Sequence, residues 1–171
     1  LDQKGKKDSI SYLEKEFALL KKINFDHFYD LANFYKDINY YENSIKFYSL
    51  ALNEVENNNL LIPKILEKRG TSYERVGEWK KAEKDLMESL AILPDQPYVL
   101  NYLAYTWIDM GINLDEGLKM LKKAFELRSN DGYIIDSLGW AYYLKKNYVE
   151  AELYLEKAVE LLPSDPVIHD H

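Results

Sequence analysis

Residues 132–165 read GYIIDSLGWAYYLKKNYVEAELYLEKAVELLPSD, and this stretch carries the signal from which the rest of the chain can be read. Its apolar residues recur at intervals of three and four, which predicts two helices on either side of Lys145-Lys146-Asn147. Small residues stand at its eighth, twentieth and twenty-seventh positions: Gly139, Ala151 and Ala158. Large ones stand at the fourth, eleventh and twenty-fourth, namely Ile135, Tyr142 and Leu155, and Pro163 closes the unit at the thirty-second. Small residues are required where two helix axes approach within about 8–10 Å, and large ones fill the layer between them.

The same pattern recurs upstream. Leu31-Ala32, Arg69-Gly70 and Leu103-Ala104 align with Leu138-Gly139 and define units 25–62, 63–96, 97–131 and 132–165. The first unit has an insertion near 59–62 and the third a one-residue insertion within 112–115. Across the four units the small positions hold Ala32, Gly70, Ala104 and Gly139, then Ser44, Ala82, Gly117 and Ala151, then Ala51, Ser89, Ala124 and Ala158. All twelve are Gly, Ala or Ser, although these make up only 26 of the 171 residues, so the register is not accidental. The large positions hold Phe28, Leu66, Leu100 and Ile135, then Tyr35, Tyr73, Trp107 and Tyr142, then Tyr48, Leu86, Leu121 and Leu155.

This arrangement resembles the tetratricopeptide-repeat (TPR) signature, most closely in 132–165 and least in the first unit, where Ser44 replaces the usual alanine and Glu56 the proline. In the third unit Ser129 replaces that proline. The resemblance implies an all-α fold of antiparallel helix pairs stacked as a right-handed superhelix (an α-solenoid), whose first helices line a concave groove. Pro63, Pro97 and Pro166 begin units, where a missing amide hydrogen does no harm, and Gly77 and Gly111 sit at turns. Residues 1–24 are expected to hold a leading helix over 8–23, with Ile10, Leu13, Phe17 and Leu20 on one face. It would be either the second helix of a preceding repeat or a cap. Residues 166–171 read as the start of a further helix, so a segment of a longer protein is expected, with apolar ends capable of end-to-end self-association.

Composition narrows the function classes. The net charge of −7, from 22 Lys+Arg against 29 Asp+Glu, works against the counterion release that drives nucleic-acid binding, so an RNA-binding helical repeat is the least favoured alternative. No stretch approaches the roughly 18 apolar residues of a membrane span. Without cysteine there is no disulfide or thiolate chemistry, which leaves both bacterial cytoplasm and periplasm open. The stretches 100–111 and 131–142 also resemble the carboxy-terminal repeats of long bacterial TPR proteins, some of them envelope adaptors, and tilt the expectation to the periplasm.

No catalytic constellation, metal site or cofactor is expected. His27, His169 and His171 stand outside any motif, and 169 and 171 would not face the same way on a helix. The turns 113–116 and 129–132 read as helix caps rather than calcium loops. The partner is expected to be a protein or peptide, with a repeat segment of a larger enzyme or envelope assembly as the alternative.

By the resemblance, groove residues come from positions two, five, six, nine, twelve and thirteen of each first helix. The first two units place Asp26, Tyr29, Asp30, Asn33 and Lys36, then Lys64, Glu67, Lys68, Thr71, Glu74 and Arg75 there. The last two place Tyr98, Asn101, Tyr102, Tyr105, Ile108 and Asp109, then Tyr133, Asp136, Ser137, Trp140, Tyr143 and Leu144. One half is charged and the other aromatic. Lys64 and Lys68 match the last pair of a family carboxylate clamp, but Asp30 breaks that set. The expected binding residues are therefore Tyr98, Asn101, Tyr102, Tyr105, Tyr133, Asp136, Trp140 and Tyr143, with Lys64 and Lys68 as secondary candidates. Tyr and Trp supply rigid contact area with a polar tip.

Overall fold

The computed structural model describes residues 3–19, 23–55, 60–166 and 168. Among them every regular element is a helix: α1 (Gln3–Ala18), α2 (Phe25–Asp37), α3 (Tyr41–Glu54), α4 (Ile62–Arg75), α5 (Trp79–Ile92), α6 (Pro97–Asp109), α7 (Leu114–Leu127), α8 (Gly132–Leu144) and α9 (Tyr148–Leu161). None is long and apolar enough to cross a membrane. The chain forms two compact units, 1–89 and 90–171, and the division falls inside α5.

Each turn within a helix pair contains a residue in the left-handed region, and the α6–α7 turn has a second, Asn113 at 49°. Gly77 and Gly111 have φ of +79° and +70°, and the corresponding turns of the first and last pairs use Asn39 and Lys146 at 65° and 63°. Only glycine is indifferent to this conformation. After each turn a backbone amide bonds back to the first helix of the pair, as in Tyr40 N–H to Tyr35 O at 2.8 Å and Asn147 N–H to Tyr142 O at 2.9 Å.

In the first unit α2 packs on α3 and α3 on α4. Leu31, Tyr35 and Ile38 form one core with Ile10, Phe17, Phe34 and Phe47 against it, so α1 reaches this core through Ile10 and Phe17. Tyr35 and Phe47 stack at 5.5 Å. Ala32, Tyr48 and Ile65 form the next core. The second unit repeats this plan, with Leu100, Ala124 and Ile134 in one core and Ala104, Ile108, Leu121, Leu138 and Ala141 in another. Ile168 is buried on Ile135 and Ala158.

All twelve small positions are buried. The four glycines or alanines at the eighth position face the second helix of their own pair: a Cβ on Gly70 would lie 3.1 Å from Leu86 Cγ, and one on Gly139 would lie 2.8 Å from Leu155 Cδ2 and 3.1 Å from the Leu155 backbone nitrogen. At the twentieth position the relation is reversed, since a Cβ on Gly117 would stand 2.9 Å from Ile108 Cγ1.

Two expectations change. The leading helix, within 1–24, runs over Gln3–Ala18, and its Lys6 ammonium donates to the Ile38 carbonyl at 2.9 Å. Leu20, Glu56, Asn59, His169 and His171 lie outside the described residues. Of the two turns read as caps, Asp131 does cap α8, accepting from the amides of Tyr133 and Ile134 at 3.1 and 3.3 Å. Asn113 does not: its backbone is left-handed, which carries the side chain away from the amides of α7. Ile108, placed in the groove by position, is 1% exposed and fills the space Gly117 leaves.

Candidate functional site

The aromatic face of the second unit is built on α6 and α8, which pack on each other as well as on α7. Tyr98, Asn101, Tyr102, Tyr105 and Asp109 recur at three and four along α6, and Tyr133, Asp136, Trp140 and Tyr143 do so along α8. Tyr98, Tyr133 and Tyr143 are exposed, Asn101, Tyr102, Tyr105 and Trp140 are half-buried, and Asp136 is buried at 4% exposure. The face is thus a set of rings at graded depth, with a carboxylate at its floor.

Two of the rings are tied by their hydroxyls in the same way. Tyr98 donates to Asp131 Oδ2 at 3.1 Å, and one repeat later Tyr133 donates to Asp165 Oδ2 at 2.8 Å. Trp140 stacks on Tyr143 at 5.3 Å, which in turn meets Tyr148 edge-on at 5.8 Å. Burial raises the Tyr105 phenol above its usual range, and the charges of Asp109 and Asp136 push it the same way. Asn101 Oδ1 is buried and accepts no hydrogen bond among the described residues.

Neither α6 nor α8 contains a Lys or Arg, and their only charged residues are Asp109 and Asp136. The aromatic face is therefore also acidic, a feature visible in the sequence once the two helices are set side by side. The floor was not visible there, because Asp136 and Ser137 share the spacing of the exposed rings.

Lys64 and Lys68 belong to α4 of the first unit, and the structure treats them differently. Lys64 is exposed. Lys68 donates to Asn33 Oδ1 at 2.5 Å, an atom that also accepts from the Tyr48 hydroxyl at 2.8 Å, and its ammonium lies 5.7 Å from the Tyr29 ring centre. Burial lowers the Lys68 pKa, with Lys36 and Lys64 adding repulsion. Tyr48, read from sequence as a packing residue alone, thus helps orient the inner polar side chains.

His27 is engaged in a capping box, in which Asn24 Oδ1 accepts the His27 amide at 3.3 Å and the ring Nδ1 accepts the Asn24 amide at 3.4 Å. No group of three or more metal-ligating side chains gathers among the described residues.

Tetratricopeptide-repeat family models match residues 28–54 and 133–165, which are the α2–α3 and α8–α9 pairs. The chain is a tetratricopeptide-repeat protein. This TPR chain is 33% identical over 103 residues to the TPR repeat-containing protein PA4667 of Pseudomonas aeruginosa, a match covering 60% of the chain and 18% of that protein's length. Its fold is that of the C-terminal part of a TPR repeat-containing protein from Cytophaga hutchinsonii, at a TM-score of 0.75 and 19% identity over 93% of this chain and 60% of that one. It is also that of MamA from residue 41 to its end, from Desulfovibrio magneticus RS-1, at 0.75 and 19% over 94% and 88% of the two chains. YrrB, a TPR protein described as having an unusual peptide-binding site, superposes at 0.72 and 18% over 95% and 84%. At these identities the solved structures share the TPR fold and nothing finer.

Proposed function

We propose that the TPR chain is a non-catalytic scaffold whose α6–α8 face holds an extended or helical segment of a partner protein. The repeats are taken as 25–62, 63–96, 97–131 and 132–165. The carrying observation is that Tyr98, Tyr102, Tyr105, Trp140 and Tyr143 stay wholly or partly accessible on two adjacent helices without any Lys or Arg. Aromatic side chains at such a face are favoured anchors for a partner's apolar residues. Asp109 and the acidic floor suit a basic side chain between those anchors.

The test is capture of partners on the immobilised protein from lysate of its source, repeated with a Tyr102→Ala/Tyr105→Ala/Trp140→Ala variant whose helicity matches the parent. A partner lost from the variant supports the reading. Trp140 also packs against the core, so Asp109→Lys, at an exposed position, serves as a second variant. Equal capture by the parent and both variants removes the α6–α8 face from consideration.

A further inference from the structure

The outward stripe of α9 differs from its counterparts in the other repeats. The eighteenth and twenty-second positions of the four units hold Glu42 and Lys46, Lys80 and Lys84, Asp115 and Lys119, and finally Val149 and Leu153. In three repeats these sites are charged and exposed. In the fourth they are apolar, and Val149 and Leu153 are still 79% and 64% exposed, beside Tyr148 at 59%.

A succeeding helix does not cover this stripe. Glu42 and Lys46 of α3 remain exposed with α4 packed against α3, and Asp115 and Lys119 of α7 remain exposed with α8 packed against α7. Positions eighteen and twenty-two therefore point outward whatever follows, and the Val149–Leu153 pair has no partner within the repeat architecture.

The surroundings of the pair are acidic. Glu156 and Glu160 continue the same stripe at helical spacing, and Glu150 and Glu152 flank it, all four exposed. Lys157, the single basic residue of α9, lies over the Phe125 ring at 5.5 Å. Lys146 precedes the helix. A second copy pairing through this stripe in the antiparallel sense would bring Glu150 against Glu150 and Glu152 against Glu152 on the two flanks, and a parallel pairing would align Glu156 and Glu160 with their equivalents. An anionic membrane surface would be repelled in the same way.

We propose that the outer face of α9 is a second docking surface, distinct from the α6–α8 face, for an amphipathic helix of another protein that carries apolar residues bordered by Lys or Arg. Val149 and Leu153 take the apolar ridge, and the four glutamates take the basic border. Apolar contact supplies affinity and the charges set orientation and partner choice.

The probe is a fluorescently labelled peptide with Leu and Lys at amphipathic helical spacing, compared with its Leu/Glu counterpart by anisotropy. Val149→Glu/Leu153→Lys installs the residues of the first repeat at exposed sites, so the fold is retained. The Leu/Lys peptide is expected to bind the parent and to bind this variant and Glu152→Lys/Glu156→Lys at least about tenfold more weakly. The Leu/Glu peptide is expected to bind only the latter variant. Unchanged binding to Val149→Glu/Leu153→Lys, or no binding to the parent, overturns the proposal. Binding lost in Asp109→Lys but kept in Val149→Glu/Leu153→Lys places the peptide on the α6–α8 face and overturns it too. Dimerisation of the parent in sedimentation, abolished by Val149→Glu/Leu153→Lys, would assign the stripe to a second copy instead.

Discussion

Arg69 grips Asp85 at two points inside the first unit, Nε to Oδ2 at 2.7 Å and Nη2 to Oδ1 at 2.8 Å, with Nη1 donating to Ser49 Oγ at 3.0 Å. Equivalent positions in the other repeats are apolar: Leu31 with Phe47, Leu103 with Met120, and Leu138 with Tyr154. Burial works against the Arg69 cation, but the Asp85 bond and charge overcome it and hold the guanidinium above its usual range. One repeat thus uses a fork-shaped ion pair where its neighbours use hydrocarbon.

Breaking such a pair from one side strands a charge, whereas replacing both partners need not. Asp85→Ala is expected to destabilise the protein by about 3–5 kcal/mol. Arg69→Leu/Asp85→Met, the pair found in the third repeat, is expected to recover most of that loss. Urea unfolding of the two variants checks it, and a double variant as unstable as the single would show that the site requires the charges.

Gly139 and Gly77 are expected to resist alanine for different reasons. At Gly139 the new methyl meets Leu155, including its backbone nitrogen, so Gly139→Ala should cost about 1–3 kcal/mol despite alanine's better helix propensity. Nothing lies within 4 Å of a Cβ at Gly77, whose φ is +79°. There the cost is backbone strain alone, roughly 1–2 kcal/mol. Leu155→Ala should relieve the side-chain part of the first cost, though not the contact with the backbone nitrogen, and leave the second untouched, as thermal melts of the double variants would reveal.

Ser44 occupies the position where the family usually has alanine, and its hydroxyl lies 3.0 Å from that of Ser72 in the core. Ser72 also donates to the Lys68 carbonyl at 2.8 Å. Ser44→Ala leaves that bond in place, so a change under about 1 kcal/mol is expected. Ser72→Val removes the Lys68 bond as well and adds bulk, and should be distinctly worse in the same unfolding experiment.

Three tyrosines should ionise late in an alkaline absorbance titration. Tyr48 is raised by burial and then by Tyr29, Asp37 and Glu67; Tyr105 by burial and then by Asp109 and Asp136; Tyr133 by its hydrogen bond to Asp165. A folded pKa above the unfolded value of about 10 means that the contribution is complete below that pH and disappears as pH rises through the folded pKa. Stability should therefore fall at strongly alkaline pH. Asp165→Asn should return one phenol to the ordinary range, and an unchanged titration curve would show that the Tyr133–Asp165 bond does not persist in solution.

The helix pairs and their register were legible in the chain alone. Sites such as Ala32, Gly117 and Ala158 must be small because helix axes meet there, and that demand repeats with the unit, so it leaves a periodic mark. Turn residues such as Gly77 leave a local mark for the same kind of reason. Depth and pairing on the inner faces left none. Ile108 and Tyr105 share a helix and a groove-facing assignment, yet Ile108 drops onto Gly117 while Tyr105 stays partly accessible beside the acidic floor. Tyr98 finds Asp131, and Arg69 finds Asp85, across separations of 33 and 16 residues. Periodicity fixes the direction in which a side chain leaves its helix, but how far it is covered and which polar atom it meets depend on the neighbouring helix, and those were decided only by the tertiary packing.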